Sequence, residues 1–174
     1  MIDPLSSVEA NVRAPRYFIA RTRRVCGHCN VPTYLFALAL PQDHETLEVE
    51  EAAENVGAID AGAAGVWVPA NRPALIFHVE FLNEEVVARL DSLTNSFRLA
   101  QQESVAEPSW TNHCEACGSR FDDQELFCEP GEAFFPSNEP GAAAIRLLSI
   151  EEPLEAAAGG YSVDPNFFHA MSLE

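Results

Sequence analysis

The chain has 174 residues, of which 27 are acidic and 10 basic, for a formal net charge of −17. A surface that negative repels nucleic-acid phosphate and anionic lipid, which argues against a general nucleic-acid binder or a membrane-surface protein. An apolar fraction of 47%, with eleven Phe and two Trp, argues against disorder. A chain of this length buries roughly 70% of its extended surface and fits a single domain, residues 1–174.

Met1 to Pro15 is polar and lacks the apolar stretch of a secretion signal. The longest apolar run, Tyr34 to Leu40, is too short to span a bilayer. The expected location is cytoplasmic, where paired cysteines bind metal or do redox work more often than they form disulfides. All ten basic residues are Arg, and five of them fall together: Arg13, Arg16, Arg21, Arg23 and Arg24. That segment, Arg13 to Arg24, reads as charge balance beside a metal–thiolate centre, or alternatively as a local anion-binding face.

In chain order, Arg16–Val25 and Val31–Leu40 are rich in β-branched and aromatic residues. They read as two strands meeting at a turn that carries Cys26 and Cys29, with Gly27 and Asn30 suited to its tight backbone. Glu45 to Glu54 is acidic and Gly57 to Gly65 is made of small residues, together a loop or boundary. Asp43-His44-Glu45 falls in that loop, and Glu48 to Glu54 reads as a solvated face. Val66–Pro69 is followed by Ala74–Leu82, where Leu75, Phe77, Val79 and Phe81 alternate and predict one buried strand face.

Asn83 has the character of a helix N-cap, with Glu84 and Glu85 favourable in the first turn. Leu82 and Val87 have the spacing of a hydrophobic staple. Val86, Leu90, Leu93 and Phe97 form one apolar stripe and predict a helix to about Ala100. After Pro108 comes a second turn with Trp110 and His113. Asp122 to Glu125 has capping-box spacing for a short helix that Pro130-Gly131 ends. Phe134-Phe135-Pro136 reads as core plus a turn, and Ile145, Leu147, Leu148 and Ile150 suggest a final strand. The tail from Ala156 reads as loose, with Phe167 and Phe168 able to dock it.

Chemistry is carried by two Cys-x-x-Cys pairs, Cys26/Cys29 and Cys114/Cys117, separated by 84 residues. A two-residue gap lets one turn present two thiolates to one cation, and two such turns complete a tetrahedral zinc site. With four protein ligands no position is left for a catalytic water, so the expected Zn²⁺ is structural. His28 and His113 lie within or beside the pairs and are alternative ligands, but the four sulfurs are the simpler set. Cys128 is left over and reads as a partly buried free thiol.

Two enzyme readings compete. Cys26-Gly27-His28-Cys29 has the letters of a disulfide-isomerase active site, but Val31-Pro32 and an extended run follow it instead of a helix. His78-Val79-Glu80 followed by Cys114 and Cys117 approximates a zinc-deaminase signature. There the expected helix is replaced by a strand, and His113 stands where Pro belongs. In that reading His78 and Glu80 share a strand face; the plainer reading is a solvent-facing polar pair. The oligomeric state is not encoded in any motif, and a protein partner is the open alternative to a substrate.

Tyr17 to Arg24, Cys26-Gly-His-Cys29, Ala37-Leu-Ala-Leu-Pro41, Trp110-x-Asn-His-Cys-x-x-Cys-Gly118 and Gly131-x-x-Phe-Phe-Pro136 together resemble a group of uncharacterised bacterial zinc-ribbon-like proteins. In that group two cysteine knuckles bracket a variable middle. The resemblance implies that the knuckles pair, and it brings no activity with it. The expected fold is α+β: an antiparallel, zinc-ribbon-like sheet. Residues of about 16–41 and 108–136 form the ribbon, around an inserted strand–helix unit at about 45–105.

Overall fold

The computed structural model describes residues 8–49, 65–103, 107–163, 165 and 167–174. The acidic run beyond Val49 and the small-residue segment before Gly65 lie outside the described residues. The fold is α+β, with a mostly antiparallel sheet and few helices. Its strands are β1 (Val12–Ala14), β2 (Tyr17–Val25), β3 (Pro32–Leu40), β4 (Glu45–Glu48), β5 (Val66–Pro69) and β6 (Ala74–Leu82). They continue with β7 (Phe97–Ala100), β8 (Ser109–Asn112), β9 (Arg146–Ile150), β10 (Leu154–Val163) and β11 (Ser172–Leu173). The helices are α1 (Glu84–Leu93), α2 (Asp123–Cys128) and α3 (Glu139–Ala143). The sheet runs β11-β9-β2-β3-β6-β10-β1-β4-β5, with the β7–β8 hairpin attached to β6. Among the described residues only the β11–β9 pairing is parallel.

Both faces of this sheet are covered, which is why β3 is buried at every position from Leu35 to Leu40. Tyr17, Ile19, Phe36, Leu38, Val86, Leu90, Trp110 and Leu154 pack together on one face, under α1. Ala20, Leu35, Ala37, Leu75, Phe127, Phe134 and Ile145 pack on the other, under α2 and α3. Each fully buried large apolar side chain contributes about 1.5–3 kcal/mol. The core therefore does not depend on metal alone.

Four expectations are corrected. First, α1 ends at Leu93, not near Ala100, and Phe97 belongs to strand β7. Thr94 leaves the helix in an extended conformation, and its hydroxyl accepts from the Ser96 amide at 3.0 Å, which stabilises the exit turn. Leu93 is consequently 45% exposed. Asn83 does stand at the N-cap position but makes no capping bond. Its side chain instead accepts from the Glu155 amide at 2.8 Å and donates to Glu85 and Pro153.

Second, the tail is not loose: Leu154–Val163 is the ten-residue strand β10, paired from Ala156 onward with β6 and at its start with β1. Ala and Gly give a weak hydropathy signal, yet small size is what this central position requires. Gly160 pairs with Phe77, and a Cβ there would overlap the Phe77 ring. Gly160→Val should therefore destabilise the protein by about 1–3 kcal/mol through overpacking, read as a lower urea midpoint with an unchanged m-value; a midpoint equal to wild type would contradict this packing. Phe167 and Phe168 do pack against the second core, as expected.

Third, β6 does not keep one buried face. Leu75 and Phe77 enter the second core, whereas Val79 enters the first. The alternation flips at His78, whose φ of 50° is left-handed, and the register with β10 shifts again between Ala157 and Ala158. The expected common face for His78 and Glu80 therefore lacks its basis in strand period.

Helix α2 agrees with expectation, whereas β4 corrects a fourth one. Asp122 caps α2 by accepting from the Glu125 amide at 3.2 Å, and Gly131 at φ 86° follows the helix. Glu45–Glu48 is strand β4 and not loop, although His44 beside it sits in a turn, buried and bonded from Nδ1 to the Pro41 carbonyl. The middle segment contributes β6, which is bonded to β3 on one edge and β10 on the other, so it shares the sheet with the segments that carry the knuckles.

Candidate metal centre

The two cysteine pairs occupy turns of the same construction. In the first, between β2 and β3, the Cys26 amide donates to the Val31 carbonyl (3.0 Å) and the Asn30 amide to the Cys26 carbonyl (2.8 Å). In the second, after β8, the Cys114 amide donates to the Ser119 carbonyl (2.8 Å) and the Gly118 amide to the Cys114 carbonyl (2.9 Å). Each turn closes with a left-handed residue at the same offset, Asn30 at φ 59° and Gly118 at φ 76°. Asn and Gly are the residues that tolerate this conformation. Gly27, by contrast, has no such requirement, since a side chain there would meet nothing.

Side chains hold the second turn against β3. Asn112, fully buried, accepts from the Phe36 amide and donates to the Phe36 carbonyl, both at 2.8 Å. Its amide thus completes the edge of β3 as a neighbouring strand would. One turn later the Glu115 amide donates to Thr33 Oγ1 at 3.0 Å, and the Glu115 carboxylate accepts from the Tyr34 amide at 3.3 Å. Asn112, Glu115 and Thr33 were not legible as site residues in the sequence. Their polarity beside a cysteine pair was the only available signal.

This docking brings the four sulfurs together. Cys26 Sγ lies 3.7 Å from Cys117 Sγ, and Cys29 Sγ lies 3.7 Å from Cys114 Sγ. All four lie within 4.8 Å of one another. A regular tetrahedron with metal–sulfur bonds of about 2.3 Å has edges of about 3.8 Å, so the cluster has the size of a four-thiolate metal site. The same separations are far beyond a disulfide bond of about 2.05 Å, and all five cysteines are free. Cys26 and Cys114 are buried and Cys117 is exposed at the rim.

The electrostatics favour a cation. Cys117 is held down to about 6 by its contact with the Ser119 hydroxyl at 3.2 Å and by the Ser119 backbone. Cys29 receives a hydrogen bond from the Val31 backbone that favours its thiolate. Burial and sulfur neighbours outweigh this bond and push it up to about 12. Cys114 is also shifted down, by the backbone amides of Cys117 and Ala116, so two thiols ionise readily while Cys29 resists, which is the behaviour of a cluster that lacks a countercharge. A divalent cation removes that resistance. His113, directly before Cys114, is not a ligand: its Nδ1 bonds to the Thr111 and Ser96 carbonyls, and burial, with Arg98 nearby, lowers its pKa. His28 is exposed and outside the cluster. Cys128 lies partly buried against the second core, outside it as well.

Three of the five expected arginine counterions are otherwise engaged. Arg13 pairs with Glu45, Arg21 with Glu174 and Arg24 with Glu132. The reading of this segment as charge balance for the sulfurs is not supported by those contacts.

His78 does not join Cys114 and Cys117, which are grouped with Cys26 and Cys29 instead. Its amide donates to Asp123 Oδ2 at 2.9 Å, and its Nδ1 lies 3.7 Å from the same oxygen. Asp123 is buried, its pKa is raised by that burial, and its Oδ1 has no partner. Glu80 is exposed. His78→Ala and Glu80→Ala should each leave the metal content of purified protein unchanged; zinc loss from the His78 variant with retention in a Cys26 variant would restore the deaminase arrangement. The redox arrangement also lacks its usual support, because Cys26 lies in a strand-to-strand turn and not at the start of a helix.

No family model, curated protein or solved structure matches the chain. Function therefore rests on the site itself. Four cysteines from two matched turns form a cluster that can hold a metal ion.

Proposed function

We propose that the protein is a cytoplasmic binding or interaction module whose two cysteine turns are joined by one structural Zn²⁺. The observation that carries this reading is the pair of 3.7 Å sulfur–sulfur distances across the turns, which match the edge of a tetrahedral zinc–thiolate site. Cys26, Cys29, Cys114 and Cys117 are the ligands, and the closed set gives the metal no position at which to activate water. Its role is to fix β3 and the loop after β8 in one geometry. The matched construction of the turns supports the zinc-ribbon likeness as part of the same reading. A reducing compartment suits five free cysteines. No described helix is long and apolar enough to cross a membrane.

Elemental analysis of untagged, reduced protein tests the proposal: one zinc per chain is expected. A metal-free native chain with a Cys26–Cys29 disulfide would replace it with the redox reading. The net charge of −17 also leads us to expect no general affinity for duplex DNA or RNA. Filter binding with unrelated duplexes at physiological salt should give no tight, salt-sensitive retention, and such retention would contradict the charge argument.

A further inference from the structure

The face of the sheet that α1 covers continues beyond the helix toward the metal centre, and there its character changes. Along β2 the inward positions Tyr17 and Ile19 are followed, at the same two-residue period, by Arg21 and Arg23. Across the strands Arg21 stands opposite Phe36 on β3 and opposite Arg146 on β9, and Arg23 stands opposite Tyr34. Tyr34 is 39% exposed, and its ring lies 5.0 Å from the Arg21 guanidinium and 5.7 Å from that of Arg23.

Like charges directly opposite each other destabilise a sheet, so the Arg21–Arg146 pair has a cost. Among the described residues neither Arg23 nor Arg146 has an ion-pair partner, although the chain carries 27 acidic residues. Beside the arginines lies a small apolar cavity of about 80 Å³, lined by Ile19, Phe36, Leu93 and Leu148 together with Arg21 and Glu174. Leu93, which lines the cavity, exposes further apolar surface. Arg21 already holds one carboxylate, that of Glu174 at 3.0 Å.

We propose that this face, built from Arg21, Arg23, Tyr34 and Arg146 around the apolar cavity, docks an acidic peptide segment of a partner protein that carries an apolar side chain between its carboxylates. This inference names the partner chemistry of the interaction module proposed above and rests on that reading. Planar guanidiniums bind carboxylates in a forked geometry, and exposed Tyr and Arg are the residue types that dominate docking energies. The apolar cavity accepts one side chain, which supplies the uncharged part of the recognition. A short peptide senses charges within a Debye length of about 8 Å, where the carboxylates of Glu174 and Glu115 also lie, and among the described residues Arg23 and Arg146 are the local charges left without an ion-pair partner. A nucleic acid strand feels the whole field, and Tyr34 alone is a poor stacking platform for successive bases.

The test uses the full chain and a fluorescein-labelled peptide of sequence Glu-Glu-Leu-Glu-Phe-Glu-Glu, with its Gln-for-Glu counterpart and a single-stranded oligonucleotide as comparisons. Fluorescence anisotropy should show binding of the acidic peptide that weakens with salt, and at least tenfold weaker binding of the Gln peptide. Arg23→Glu and Arg146→Glu should each weaken the acidic peptide at least tenfold, whereas Arg16→Glu, in the bend just before β2, should change it less than twofold. Zinc content is measured on every variant. Equal binding of the Gln peptide, equal loss in the Arg16 variant, or stronger binding of the oligonucleotide overturns the proposal. Absence of peptide binding to zinc-loaded protein overturns it while leaving the structural-zinc reading intact. Peptide binding with the stated Arg dependence by a metal-free chain supports the docking face and removes the zinc.

Discussion

Replacing any one of Cys26, Cys29, Cys114 or Cys117 with Ser is expected to produce the largest single loss in this protein. Each substitution removes one corner of the sulfur tetrahedron, whose six edges all lie within 4.8 Å. The remaining three ligands cannot close the site. Structural zinc contributes on the order of 10 kcal/mol in isolated peptides. In this chain the hydrophobic core is large, and closing the 84-residue gap costs entropy that rises only slowly with length. If about 5 kcal/mol is lost, the melting temperature falls by ~10–20 °C, at about 2–4 °C per kcal/mol for a chain of this size.

The variants should lose zinc and melt early, while Cys128→Ser should change neither property. Acid should act as a chelator does. Metal binding needs deprotonated thiols, so zinc and its stabilisation are present at neutral and higher pH and are lost as pH falls and protons reclaim the sulfurs. Calorimetry with a zinc indicator checks both. Four Cys→Ser variants that retain wild-type zinc and melting would remove the metal centre from the account.

Asn112→Ala should have the second-largest effect. The side chain is fully buried and makes two 2.8 Å bonds to the Phe36 backbone, one in each direction. Truncation leaves a buried N–H and a buried C=O without partners, each at about 1–3 kcal/mol. The expected loss is roughly 3 kcal/mol, since water enters the vacated space and recovers part of the cost. Asn112→Asp keeps the acceptor but presents a buried negative oxygen to the Phe36 carbonyl, so it should be no better. Because Asn112 precedes Cys114 by two residues, zinc affinity should fall together with stability. Denaturant unfolding of the zinc-loaded and chelator-treated forms measures both effects. A destabilisation below about 1 kcal/mol, the low end for an unsatisfied buried group, would show that β3 does not rely on this side chain as its neighbour.

Local patterns carried much of this structure. The β2–β3 hairpin, β5, β6, the start of α1 and the capped helix α2 all follow from periodicity and end signals that act within a few residues. The four cysteines of the cluster were legible in the same way, because a Cys-x-x-Cys turn is a local device and two of them have few other uses. His78 marks the limit of such reasoning. Its left-handed φ goes with an amide bonded to a buried Asp123 oxygen 45 residues away and with a close approach to Gly159, which has no side chain. No alternation pattern within β6 contains either fact.

Residue order alone singled out the four cysteines that cluster, the charge that disfavours polyanions, and those elements whose stabilising contacts lie near in the chain. Long-range packing settled what depends on distant partners. Leu154–Val163 became a central strand because β6 and β1 flank it, and its alanines and glycines leave Phe77 the space it needs. Phe97 left the helical stripe because it pairs with Asn112 on β8, a contact no helix could make. The arginines of β2 became an open face because Arg146 from the end of the chain was placed beside Arg21. In each case local propensity was weak, and the free energy of burial and of strand pairing across long sequence separations chose the outcome.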